Sequence, residues 1–206
     1  TTVLNATTPG TTNQTFTSGS DSITLNWTVD SAVTYQPNPA PGTRGRIGNG
    51  ALFDGSGAIE IPGASNVAAL TNNFTIMGWI YPEDLNGWQY FLTTSIENST
   101  NGYGFLARDH DLGFTTLGIQ SYYISNVLKN NVWQHVAVVF DTNNDATFYL
   151  NGVDIGTVSG TQPATVNLDD VMMIGAIRWG SGDLANPPFK GTIDELALYG
   201  RSLSTA

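Results

Sequence analysis

The residues best suited to coordination chemistry lie in FKGTIDELALYGRSLS, residues 189–204. The run alternates like a half-buried strand, yet it carries Asp194 and Glu195 inside the alternation. A carboxylate on the inner side of a strand costs several kcal/mol, roughly, unless a partner or a metal compensates it. The chain has 7 Lys and Arg residues against 17 Asp and Glu. A bound cation is therefore the simplest compensation, and calcium is the ion that prefers carboxylate and carbonyl oxygens.

A second chemistry is sugar recognition. An aromatic ring stacks on the apolar face of a pyranose while amides and carboxylates bond its hydroxyls. LNGWQY (85–90) puts Trp88 just after Asn86-Gly87, at the edge of a loop. IRWGSGDLANPP (177–188) offers Arg178 and Trp179 before a loop with Asp183 and Asn186. Arg108, Asp109, His110 and Asp111 make a polar loop, and Gln120, Tyr122 and Tyr123 are further candidates to line a sheet. The plain alternative for each ring is packing. Trp79 and Trp133 sit inside apolar strands and are read as core.

Catalysis finds less support. Retaining glycosidases need two carboxyls about 5–5.5 Å apart. The four glutamates, Glu60, Glu83, Glu97 and Glu195, form no E-x-D-x-x-E strand. Asp109 and Asp111 would share a face if extended, but Gly113 and His110 suggest a loop. His135, in WQHVAVV, reads as a structural imidazole, and no G-x-S-x-G occurs. The chain is read as a non-enzyme.

Composition narrows the partners. The 206 residues carry a net charge of −10, which disfavours nucleic acid and anionic membranes. No cysteine is present, so disulfides and thiolate zinc sites are excluded. No apolar run approaches about 20 residues, so no helix spans a membrane. The chain begins at Thr1 without a signal peptide and reads as a piece of a longer polypeptide.

The elements that must position these residues are strands. Short apolar or alternating segments cover about 51–54, 58–62, 74–81, 89–95, 103–108, 112–118, 121–126, 133–141, 145–151, 153–158, 171–176 and 191–199. Ile23, Leu25, Trp27 and Val29 alternate in a further one. Asn151-Gly152 predicts a type I′ hairpin. Residues 1–20 read as a linker or edge segment, and 36–50 as irregular surface. No helical period persists for three turns. About a dozen strands favour an all-β jelly-roll sandwich of two antiparallel sheets, with residues 1–206 as a single domain.

Five segments carry a family likeness: GNGALFDGSGAIEIP (48–62), NFTIMGWIYP (73–82), NVWQHVAVVFD (131–141), TFYLNGVDIG (147–156) and GTIDELALYGRSLS (191–204). In order and spacing they resemble the laminin-G-like group of the concanavalin A-like lectin/glucanase superfamily. The resemblance implies an extracellular, secreted or cell-surface module that binds glycan or polysaccharide, in a bacterial adhesin or polysaccharide-degrading enzyme. It also implies one structural calcium between the FDGS turn and the IDE strand. On this chain that means Asp54 and Asp194 with carbonyls near Gly57 and Gly191, and Asp30 as a further ligand. The alternative is that Asp54 caps a turn and Asp194 pairs with a cation. Some members of the group bind protein or peptide, and that is the second functional expectation.

Overall fold

The computed structural model describes residues 2–3, 11–18, 21–29, 33–35, 45–61, 70–97, 99–165, 172–185 and 187–204; before residue 45 it describes only the course of the backbone strands. No helix occurs among the described residues.

The strands are β1 (Thr2–Val3), β2 (Thr11–Ser18), β3 (Asp21–Val29), β4 (Val33–Tyr35), β5 (Ala51–Asp54) and β6 (Ile59–Ile61). Next come β7 (Phe74–Asp84), β8 (Trp88–Thr93), β9 (Tyr103–Arg108), β10 (Asp111–Thr116), β11 (Gln120–Ile124) and β12 (Gln134–Phe140). The last are β13 (Ala146–Leu150), β14 (Val153–Val158), β15 (Met172–Ile174), β16 (Ile177–Arg178), β17 (Leu184–Ala185) and β18 (Lys190–Tyr199). Every segment from residue 51 onward that the sequence predicts as a strand is one, with ends shifted by a few residues.

One sheet runs β14-β13-β12-β7-β18-β5-β4, with β1 also paired to β18. The other runs β11-β10-β9-β8-β15-β6-β3-β2. All pairs are antiparallel, and β16 with β17 forms a separate hairpin. Long apolar strands such as β12 sit mid-sheet, where both faces find cover. At the tip between β13 and β14, Asn151 and Gly152 both have positive φ, 52° and 80°, as a type I′ turn requires.

Period-2 alternation sends one residue in two into the space between the sheets. From the first sheet these include Phe74, Ile76, Phe140 and Phe148; from the second, Phe105, Phe114, Tyr103 and Tyr122. The rings lock the layers together. Phe74 stacks on Tyr103 at 4.7 Å between centroids, and Phe114 lies 5.0 Å from Phe140.

Alternation also corrects two expectations. Trp79 and Trp133 are not core: both are only half-buried. Register places Trp79 between the core residues Phe74, Ile76 and Ile80 in sequence but on the opposite face, where it packs edge-on against His135 at 5.3 Å. Trp133 packs against Tyr81 on that same outer side. An apolar strand does not distinguish an inward ring from one lying on the sheet's back.

Candidate functional site

The outer face of the second sheet brings together several of the candidate residues. Register aligns Trp88 with Arg108 and Arg108 with Asp111 across β8, β9 and β10. The next outward row runs Tyr90, Leu106, Gly113 and Tyr123. The row beyond holds Thr93, Gly104, Thr115 and Ser121.

These side chains interlock. The Arg108 guanidinium lies 3.9 Å from the Tyr123 ring centroid and 5.7 Å from that of Trp88. Trp88 meets Tyr123 edge-on at 6.0 Å. Nη2 of Arg108 donates to Oδ2 of Asp111 at 3.1 Å. Asp111 in turn accepts from the Asn126 N–H at 2.8 Å, which anchors it. Glycine makes room for the rings: a Cβ on Gly113 would stand 2.4 Å from Tyr123, and one on Gly104 would stand 2.9 Å from Tyr90. The floor beside them is hydroxylic, with Thr115 Oγ1 and Ser121 Oγ 3.1 Å apart.

Asp109 positions Trp88 rather than facing the groove. Its Oδ1 accepts the Gly87 N–H at 3.0 Å, and its own N–H donates to the Gly87 carbonyl at 2.8 Å. It holds φ at 53°, a left-handed conformation that Asp tolerates. The β9–β10 turn thus pins the loop that presents Trp88.

The β16–β17 hairpin closes the far side. Ile177 and Ala185 pack with Tyr90, Leu106 and Leu117. Arg178 Nη1 donates to Glu60 Oε1 at 3.1 Å, and its carbonyl accepts the Glu97 N–H at 2.7 Å. At the tip, Trp179 is 41% exposed. Asp183 shapes this tip: its carbonyl accepts the Trp179 N–H, and its carboxylate accepts the Ser181 hydroxyl. Asn186 lies outside the described residues.

Glu97 belongs to this face. Burial pushes its carboxyl above the usual range. Burial also raises the phenols of Tyr90 and Tyr123, and the Glu97 charge adds to both. Sequence reasoning missed Glu97, which lies in an ordinary loop. It also chose Tyr122 for the site. Tyr122 is fully buried and packs against Phe114 and Phe140, so it presents no ring to a ligand. Its neighbour Tyr123 lies on the outer face beside Trp88 and Arg108, because a one-residue step changes the face.

The residues proposed for calcium do not converge. Asp54 pairs in register with Lys190, and Asp194 lies four residues further along β18, about 13 Å away at ~3.3 Å per residue. Asp54 is exposed, and its Oδ1 accepts both the N–H and the hydroxyl of Ser56, which lowers its pKa. It caps a turn. Asp194 is 6% exposed and accepts the Ile47 N–H at 2.8 Å and the Glu195 N–H at 2.9 Å. Its charge is met by backbone donors, on the outer side of β18 opposite Trp79 rather than in the core. A bulge makes this possible. Glu195 takes φ 49° and register slips between Asp194 and Ala197, so Ile193 and Leu196 both point inward. Residues 45–50 wrap Asp194 so closely that a Cβ on Gly45 would stand 2.7 Å from its Oδ2.

Gly191, at φ 141°, sits mid-sheet between Phe53 and Pro82, and Gly57 is buried beside the Asp54 turn. Asp30 lies outside the described residues. No group of three or more His, Cys, Asp or Glu suited to a metal occurs among the described residues. This geometry does not fit a calcium shared by Asp54 and Asp194.

The sequence profile described as concanavalin A-like lectin/glucanases superfamily, a laminin-G type, matches residues 53–206. The chain belongs to that superfamily. No curated protein matches the sequence. Solved structures share the fold at low identity. Domain 4 of AbnA, an extracellular arabinanase of Geobacillus stearothermophilus solved with arabinotriose, is 20% identical, with a TM-score of 0.63 over 85% of this chain and 79% of that one. The CBM40 of the Ruminococcus gnavus IT-sialidase, bound to α2,3-sialyllactose, is 20% identical, with a TM-score of 0.65 over 76% of this chain and 92% of that one. The binding domain of Paraclostridial Mosquitocidal Protein 1 is 15% identical, with a TM-score of 0.64 over 95% of this chain and 50% of that one. The superfamily member described here thus has a two-sheet jelly roll with a Trp88–Arg108–Tyr123 cluster on one outer face.

Proposed function

We propose that this chain is a non-catalytic carbohydrate-binding module of an extracellular protein, with its glycan seated on the outer face of the second sheet. The observation that carries this reading is the Trp88–Arg108–Tyr123 cluster beside the Thr115 and Ser121 hydroxyls. Rings of fixed orientation suit the apolar face of a sugar, and the adjacent hydroxyls suit its hydroxyl groups. Two solved relatives of this fold are sugar-bound, an arabinotriose and a sialyllactose complex, which is consistent with such use. The carboxylates near the groove have other duties: Asp111 and Glu60 are ion-paired and Asp109 holds a loop. Such a site binds one sugar unit weakly, at ~0.1–1 mM, and tethering within a longer chain adds avidity.

Calorimetric titration of wild type and Trp88→Ala with a panel of oligosaccharides tests the proposal. Binding without release of reducing ends, weakened by the substitution, supports it. Release of shortened sugars contradicts the non-catalytic reading.

A second reading, protein or peptide binding, is favoured by a different observation. A pocket of about 190 Å³ on the outer side of the first sheet is lined by Met77, Ala137, Val139, Tyr149 and Leu203 beside His135. Its apolar walls suit a side chain better than a pyranose.

A further inference from the structure

The charge layout of the second sheet's outer face bears on which glycans it would accept, and this inference rests on the carbohydrate-binding reading above. Among the described residues, Arg108 and Arg178 reach the face, and both are ion-paired. Arg108 is paired with Asp111 at 3.1 Å and stacked on Tyr123. Arg178 is paired with Glu60 at 3.1 Å. Against them stand the carboxylates of Asp111 and Glu60, Glu97 bonded through its N–H to the Arg178 carbonyl, Asp109 at the Trp88 loop and Asp183 at the hairpin tip. The other described basic groups with resolved contacts serve elsewhere: Arg46 lies over Trp79 on the opposite sheet, and Lys190 faces Glu83.

A carboxylated sugar placed here meets no free guanidinium. It would have to draw Arg108 from Asp111 or Arg178 from Glu60, leaving a half-buried carboxylate uncompensated. Like charges also repel it across a face that is net acidic. Uncharged hydroxyls face no such cost, since the exposed Ser121 hydroxyl can accept or donate and the rings need only an apolar sugar face.

We propose that this face selects neutral glycans and discriminates against sialylated or uronic-acid chains. Recognition then proceeds through stacking and neutral hydrogen bonds, which salt does not screen.

The test is calorimetric titration of the wild-type chain with neutral arabinan, xylan, glucan and galactan tetrasaccharides, and with trigalacturonate and the matched pair lactose and 3′-sialyllactose. Trp88→Ala is run in parallel to locate binding. The expected result is binding of at least one neutral probe, weakened by Trp88→Ala, with acidic probes roughly tenfold or more weaker. Affinity for the neutral probe should change by less than about twofold between low and high salt. Tighter binding of 3′-sialyllactose or trigalacturonate, lost in Trp88→Ala, overturns the neutral preference and leaves the carbohydrate site standing. Binding of no probe, or binding indifferent to Trp88→Ala, overturns both. Asp111→Asn adds a gain-of-function arm: freeing Arg108 should bring acidic probes toward the neutral affinity, and an unchanged ratio contradicts the proposed role of the ion pair.

Discussion

The Arg108 guanidinium lies over Tyr123, 3.9 Å from the ring centroid, while its Nη2 is held by Asp111. One guanidinium therefore fixes the orientation of a ring and shields a carboxylate at the same time. Arg108→Lys should not replace it, because an ammonium offers no planar fork or stacking surface. The contacts are partly exposed, so the stability loss should stay within about 1 kcal/mol. Glycan affinity should fall roughly fivefold, since the freed ring costs about 1 kcal/mol to reorder. Thermal melts and titrations of Arg108→Lys and Arg108→Ala check both halves; an unchanged affinity removes Arg108 from the site.

Gly113 tests whether ring placement matters. It needs no unusual φ, but a Cβ there would stand 2.4 Å from the Tyr123 ring. Gly113→Ala should push the ring off the sheet and weaken glycan binding by roughly fivefold or more, a cost of about 1 kcal/mol. The Leu106 side chain, 3.3 Å from that Cβ, adds only modest crowding. A variant that folds and binds like wild type would show that Tyr123 does not stack on ligand.

Trp179 reports the length of the groove. It stands on the hairpin tip, across Tyr90 and Leu106 from Trp88, and 41% of its surface is exposed. Trp179→Ala should leave disaccharide binding unchanged and weaken tetrasaccharide binding by roughly three- to tenfold, the value of one stacked ring. Equal losses for both lengths would place Trp179 in a single compact subsite instead.

Asp194 separates a backbone anchor from a metal ligand. Asp194→Ala strips the acceptors of the Ile47 and Glu195 N–H groups and should cost about 2 kcal/mol, or roughly 4–8 °C in Tm. The geometry predicts the same loss with and without a chelator. A loss seen only in the absence of chelator would restore a metal to Asp194. The pH dependence has a definite sign. Burial raises the Asp194 pKa above its ordinary 3.8, against the smaller opposing effect of the Ile47, Glu195 and Arg46 N–H groups. The folded chain then holds this proton more tightly than the unfolded chain. Its contribution is full below 3.8 and is lost as pH rises through the raised folded value. The stability of wild type minus that of Asp194→Asn should therefore fall as pH rises across that window. A rising difference in denaturant melts would contradict it.

Much of this fold is legible in the sequence, for local reasons. Alternation, Gly and Asn punctuation, and the Asn151-Gly152 turn all report on backbone geometry that neighbours in sequence determine. The short pairs β16 and β17 and the edge strands β2 and β4 carry too few alternating residues to declare themselves. The site is partly legible: Trp88, Arg108, Asp109, Arg178, Trp179 and Asp183 do gather around one face. What sequence does not encode locally is parity. Tyr122 and Tyr123 are chemically alike, and only register against Phe114 and Gly113 decides which is core. The same holds for Trp79. The distant Asp194 partner is not legible because it is a main-chain N–H, that of Ile47, 147 residues away.

The most direct test of the account follows the indole N–H signals of the five Trp residues by NMR during titration with a neutral tetrasaccharide. The account predicts shifts at Trp88 and Trp179, on the second sheet and its hairpin, with Trp79 and Trp133 unmoved on the opposite side. Shifts confined to Trp79 and Trp133, or no indole shift under saturating ligand, would contradict it.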